Sequence, residues 1–236
     1  MMNRFLSATD AERAARSLRK LVRNDISDWA LTGGLAIELH CLRLGLQTVT
    51  RTLQDIDFVT ASFDSIPETL ANDFLFRHIH PSDPPGKTLV QFADPDEALR
   101  IDLFRTHVSV MRRISGVDDF WIVSLEDLVS NLARLTLSLA EGDQVPAKHA
   151  RDFLRLVDRV DPGKAEVAWQ DYRKQKHPAT FIEAARVLRD LIPAHRDLLI
   201  SLVYSQDTSE ICPRCASTAG LQLADPNAVL AVLGYC

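Results

Sequence analysis

The chain has 236 residues, 46% of them hydrophobic and 25% charged, which fits one or two folded domains and excludes a disordered or fibrous chain. Its net charge of −5 leaves any nucleic-acid contact to a local basic patch rather than to an overall field. Four cysteines are too few for a disulfide-stapled secreted scaffold, and there is neither an apolar leader nor a run of about 18 uncharged apolar residues, so a soluble, cytoplasmic protein with no membrane span is expected.

Ala11, Ala14, Ala15, Leu18, Leu21 and Val22 recur at helical spacing between charged residues, which predicts an amphipathic helix over 9–23. A strand over 28–32 follows and runs into Gly33-Gly34. Leu35, Leu39, Leu42 and Leu46 then step by four, three and four, the mark of a helix that buries one face. A strand is expected over 55–60, and Ser65-Ile66-Pro67-Glu68 reads as a helix start with a polar cap and an early proline. Residues 74–80 and 88–93 alternate like strands around a proline-rich loop, and 98–105 reads as a further strand. From Ser124 the period becomes helical, with Leu125, Leu128, Leu132, Leu135 and Leu139 behind a cap that resembles a capping box. Further helices are expected over 147–160, 164–174, 180–191, 195–203 and 226–233. The expected organisation is an α/β domain over 1–120, with a small mixed sheet flanked by helices, and a mainly α-helical C-terminal domain over 121–236.

The chemistry concentrates in three acids. Residues two apart on a strand face the same way, so Asp55 and Asp57 project together while Ile56 and Phe58 point into the core. In 98–105, Leu99, Ile101 and Leu103 supply the buried face and leave Arg100, Asp102 and Phe104 on the other. If the two strands are neighbours, Asp55, Asp57 and Asp102 converge. Carboxylates that close repel at neutral pH unless a cation lies between them, and Mg²⁺ or Mn²⁺ suits an open set of oxygen ligands completed by substrate phosphates. This is the donor set of a two-metal phosphoryl-transfer site. Gly33 and Gly34, between strand and helix, would let backbone amides approach the phosphates of a nucleotide.

Strand, Gly-Gly, helix, Asp-x-Asp strand and a later strand-borne Asp resemble the polymerase-β-like nucleotidyltransferase superfamily. Leu31-Thr32-Gly33-Gly34-Leu35-Ala36 with Asp55-Ile56-Asp57-Phe58 is most similar to its AbiEii-type branch, known from abortive-infection and toxin–antitoxin systems. The resemblance implies a minimal nucleotidyltransferase fold, Mg²⁺ dependence and transfer of a nucleoside monophosphate from an NTP to a hydroxyl of tRNA, protein or a small molecule. It assigns catalysis and metal binding to Asp55, Asp57 and Asp102, and nucleotide binding to Gly33 and Gly34. Lys148-His149-Ala150-Arg151-Asp152 is similar to a Lys-x-Arg-Asp segment of that branch with one extra residue, which brings Lys148 near the nucleotide's phosphates. Asn131 stands where a site-facing lysine is expected, and Arg43 and Arg51 are candidate substitutes as triphosphate ligands. The alternative is a non-catalytic nucleotide-binding or toxin–antitoxin interaction protein that keeps the fold.

Cys212-Pro213-Arg214-Cys215 has the knuckle spacing of a structural Zn²⁺ site, with Cys236 as a third thiolate and His177 or His195 as candidate fourth ligands. The same cysteines could instead be small buried residues. Arg112, Arg113, Lys148, Arg151, Arg155 and Arg159 are the candidate RNA-facing charges.

Overall fold

The computed structural model describes residues 2–82 and 86–201. They form two compact units that divide between Ile122 and Val123. The first is a mixed α/β unit built on a mixed sheet flanked by helices, and the second is mainly helical.

The first unit opens with α1 (Ala8–Arg23), where the Ser7 hydroxyl accepts a 3.1 Å hydrogen bond from the Asp10 amide and so satisfies one of the orphan donors of the first turn. Ala11, Ala14, Leu18 and Leu21 are its buried stripe, as the spacing predicts. There follow β1 (Ala30–Leu31), α2 (Gly33–Arg43), β2 (Asp55–Thr60), α3 (Leu70–Asp73), β3 (Leu75–Ser82), β4 (Gly86–Asp94), β5 (Leu99–Arg105), α4 (Val108–Met111), β6 (Ser115–Val117) and β7 (Phe120–Ile122). The strands make one sheet in the order β3-β4-β5-β2-β1-β7-β6. Pairings β2–β5 and β1–β7 are parallel, and the others are antiparallel. Trp29 stacks on Phe92 at 5.8 Å and tilts against Phe58, while Phe76 meets Phe92 edge-on at 4.8 Å, so the core of the sheet is aromatic.

Two local expectations change. The helix expected from Ser65 is instead a 3₁₀ turn, Phe63–Ser65, followed beyond Pro67 by the four-residue α3, of which only Leu70 is buried. An apolar anchor of one residue cannot hold a longer helix. Helix α2 buries every residue from Leu35 to Cys41 rather than a single face. The cause is Glu38, wholly buried in mid-helix, whose carboxylate accepts from the Val49 amide at 3.0 Å and from Arg51 Nε at 2.8 Å and so ties the segment 44–54 back onto the helix.

The second unit comprises α5 (Leu125–Thr136), a 3₁₀ turn that ends at Gly142 with φ +79, β8 (Val145–Pro146), α6 (Ala147–Leu156), α7 (Pro162–Tyr172), α8 (Phe181–Ala194) and β9 (Leu199–Ile200). Thr180 and Glu183 form a reciprocal capping box at the start of α8. The helix expected over 195–203 does not form among the described residues. Pro193 sits in the last turn of α8, and Leu199 and Ile200 pair in parallel with Val145 and Pro146 as β9. Asp152 is buried against Arg155, whose Nη1 donates to it at 3.1 Å. The segment 226–233 lies outside the described residues. Among the described residues no helix is long and apolar enough to cross a membrane.

Candidate functional site

Strand β2 alternates as its sequence requires: Ile56 and Phe58 are wholly buried, and Asp55 and Asp57 are half-buried on the opposite face. Strand β5 does the same with Ile101 and Leu103 inside. Because β2 and β5 are parallel neighbours, Asp57 lies opposite Asp102 and Asp55 opposite Arg100, so all four side chains share one face of the sheet. One carboxylate oxygen from each of Asp55, Asp57 and Asp102 lies within 4.8 Å of the others.

That density of negative charge is balanced from within. Arg100 Nη2 donates to Asp55 Oδ2, and its Nε lies 3.0 Å from Asp102 Oδ1, off the line of its N–H, so this second contact is between charges rather than a directed hydrogen bond. Burial works against the Arg100 charge, but Asp102 and Asp55 outweigh it and hold its pKa above the ordinary arginine value. Asp102 is 5% exposed and accepts a 3.0 Å hydrogen bond from Gln91 Nε2. Burial pushes its carboxyl up to about 6 despite the opposing pull of Arg100.

The glycine turn is fitted to these acids. The Thr32 amide donates to the Asp57 carbonyl at 2.8 Å, which brings Gly33, at φ +64, directly beside the Asp57 side chain. A β-carbon at Gly33 would fall 2.0 Å from Asp57 Oδ2, so only glycine fits, by backbone angle and by space. Gly33 and Gly34 open α2, whose first-turn N–H groups receive no side-chain cap from Thr32. Arg51 passes Gly34, where a β-carbon would stand 3.4 Å from its Cδ and Nη1, and its Nη2 lies 2.7 Å from Glu38 Oε1.

The structure thus gathers Asp55, Asp57, Asp102 and Gly33 at one point, with Arg51 beside Gly34. Arg43 is engaged elsewhere, donating to the Gly116 carbonyl at 2.9 Å, and Asn131 accepts from Arg134 within α5. Lys148 belongs to the first turn of α6 in the second unit. Cys212, Cys215 and Cys236 lie outside the described residues; His177 stacks on Trp169 at 5.9 Å, and its Nδ1 accepts from the Lys174 amide. Sequence reasoning placed Arg100 on the acidic face but gave it no role, and it passed over Gln91 and Glu38. The alternation of β5 was the signal for Arg100, whereas Gln91 reaches Asp102 only through the β4–β5 register.

Three anionic oxygens this close form a hard donor set that fits a divalent cation such as Mg²⁺ or Mn²⁺. No family model matches the chain, and no curated protein matches it. Two solved structures are similar to it. JHP933 from Helicobacter pylori is 14% identical, with 82% of this chain and 94% of that one covered and a TM-score of 0.37. A candidate nucleotidyltransferase from H. pylori is 16% identical, with 81% and 97% covered and a TM-score of 0.33. Likenesses this distant do not bear on function, which the site residues must carry.

Proposed function

We propose that this chain is a metal-dependent nucleotidyltransferase that moves a nucleoside monophosphate from an NTP to a hydroxyl acceptor. The observation that carries the reading is the convergence of Asp55, Asp57 and Asp102 on adjacent parallel strands, against the glycine that opens α2. Asp55, Asp57 and Asp102 would hold Mg²⁺ or Mn²⁺, which when bound supplies Lewis-acid stabilisation of phosphate charge and lowers the pKa of an acceptor hydroxyl. Gly33 and Gly34 offer backbone N–H groups to the phosphates at the positive end of α2. Arg51, fixed by Glu38, is assigned to the triphosphate as a charged donor, and Lys148 is assigned to a nucleotide's phosphates by the family resemblance alone. Asp102 is assigned the proton of the attacking hydroxyl.

Within this reading, the AbiEii-type branch accounts for the glycine and Asp-x-Asp segments. It points to RNA, tRNA included, or protein as acceptor, to a toxin or antitoxin partner and to a cytoplasmic setting. A structural Zn²⁺ on Cys212, Cys215 and Cys236 belongs to the same proposal.

The test is transfer of label from each α-labelled NTP, with Mg²⁺, into total cellular RNA and protein by the wild type and Asp57→Asn. Label that depends on Asp57 supports the assignment, and equal transfer by both proteins sinks it. One observation favours a second reading, a non-catalytic nucleotide-binding or interaction protein: Arg100 already neutralises two of the three acids. Nucleotide binding without transfer to any acceptor would favour it.

A further inference from the structure

A metal-ligand reading does not require Arg100, yet it lies in contact with two of the three acids. It stands opposite Asp55 in the β2–β5 register and two residues before Asp102, and its guanidinium touches both carboxylates. The contact to Asp55 takes one of that residue's oxygens, and the Asp102 oxygen facing Arg100, Oδ1, is the one that already accepts from Gln91. A carboxylate oxygen engaged by a guanidinium has its lone pairs turned toward nitrogen, and an ion that approaches it meets a positive charge before it meets the ligand.

We propose that Arg100 is a built-in counter-ion that occupies the carboxylates' cation position, so that a divalent ion binds only as Arg100 releases Asp55 and Asp102. The proposal rests on the reading of Asp55, Asp57 and Asp102 as metal ligands and deepens it, because it makes the affinity of that site depend on a competing side chain. When a site is competent for only a fraction of the time, its apparent affinity falls by that fraction. A guanidinium held by two carboxylates lowers that fraction, and a competent fraction of about a tenth corresponds to a tenfold weaker apparent affinity. The released guanidinium remains at the mouth of the site as a cation able to meet a phosphate. The site therefore favours a metal ion that arrives with a polyphosphate over a metal ion alone.

The test uses the full-length protein and Mn²⁺ alone, titrated at neutral pH and followed by loss of the free-ion electron paramagnetic resonance signal. Arg100→Gln should bind Mn²⁺ at least about tenfold more tightly than the wild type, by the competent-fraction argument. Arg100→Lys, which keeps the charge, should stay near the wild type, and Asp57→Asn should lose binding. A second readout is the rise in melting temperature on adding Mn²⁺, which should be larger in Arg100→Gln than in the wild type, because the neutral variant takes the guanidinium away from Asp55 and Asp102 until the ion arrives. Wild-type binding with equal or weaker binding by Arg100→Gln overturns the counter-ion role and leaves the metal site standing. Absence of Asp57-dependent Mn²⁺ binding in both wild type and Arg100→Gln overturns the metal site and the counter-ion together. If Arg100→Gln does not fold in metal-free buffer, rescue of its fold by Mn²⁺ supports the proposal, and failure of Mn²⁺ to rescue it counts against it.

Discussion

Gly33 and Asp57 are fitted to each other atom against atom: a single added carbon at Gly33 would sit 2.0 Å from the Asp57 carboxylate, at a backbone angle that side chains avoid. Gly33→Ala must therefore displace Asp57 or unwind the first turn of α2. We expect a loss of roughly 2 kcal/mol or more in urea denaturation, together with loss of Mn²⁺ binding. Gly34→Ala meets a side chain rather than backbone, Arg51 at 3.4 Å, and sits in a helix that favours alanine, so its stability should stay within about 0.5 kcal/mol of the wild type. Similar losses in the two variants would contradict this account of the turn.

Glu38 and Arg51 are a buried pair in which neither partner tolerates the loss of the other. Glu38→Ala or Arg51→Ala should cost about 3–5 kcal/mol, because each breaks a largely buried ion pair by removing one partner. The double variant Glu38→Met with Arg51→Met should recover much of that loss. A double-mutant cycle measured by chemical denaturation checks this, and additive single losses would refute the coupling.

Asp94 gives the first unit an acid-sensitive joint. It is wholly buried at the end of β4 and receives Lys20 Nζ at 2.6 Å and the Ser17 hydroxyl at 2.7 Å from α1. Burial raises its pKa, but the hydrogen bonds from Lys20 and Ser17 prevail and hold it below the usual 3.8. A carboxyl whose folded pKa lies below its unfolded value stabilises above the unfolded value, and that stability is lost as pH falls through the folded one. Asp94→Asn should thus cost about 1–3 kcal/mol at neutral pH. The gap to the wild type should close as pH falls below 3.8, seen in thermal melts across that range.

Asp102→Asn removes a desolvated carboxylate that Asp55 repels, keeps an oxygen for Gln91 Nε2, and leaves Arg100 its hydrogen bond to Asp55. Thermal stability should therefore hold or rise while Mn²⁺ binding disappears, the pattern of a residue kept for chemistry rather than for folding. A large drop in melting temperature would mark Asp102 as structural instead.

Much of this arrangement was legible in the sequence, because the period of apolar residues is imposed by the same core that fixes the strands. Strand β2 spans the expected residues 55–60, and the face carrying Asp55 and Asp57 follows from Ile56 and Phe58 alone. The α5 cap was legible too: Ser124 Oγ accepts from the Asp127 amide at 3.1 Å. What escaped depends on register between strands or on elements too short to show a period. The three-residue strands β6 and β7 carry no countable alternation, and β9 reads as a helix until Val145 and Pro146 are seen to pair with it. Arg100 and Gln91 acquire their meaning only once β5 is known to lie between β2 and β4. Glu38 gives no sign in the sequence of being interior, and the return of the segment 44–54 is what makes it so.

Strand β1 is two residues long, yet it is what joins the four strands on one side to the β6–β7 hairpin on the other. Ala30 and Leu31 pair with Val59 and Phe58 along one edge and with Trp121 and Ile122 along the other. The sheet is therefore two fabrics stitched by a pair of rungs, with Arg43 on the β6 backbone as a second thread. Such a seam opens at a lower cost than the longer ladders beside it, so amide protons of β6 and β7 should exchange ahead of those in β2 and β5. The half of the sheet that carries the acids then stays closed while the hairpin next to β1 breathes, and thermal motion at that margin is kept away from Asp55, Asp57 and Asp102.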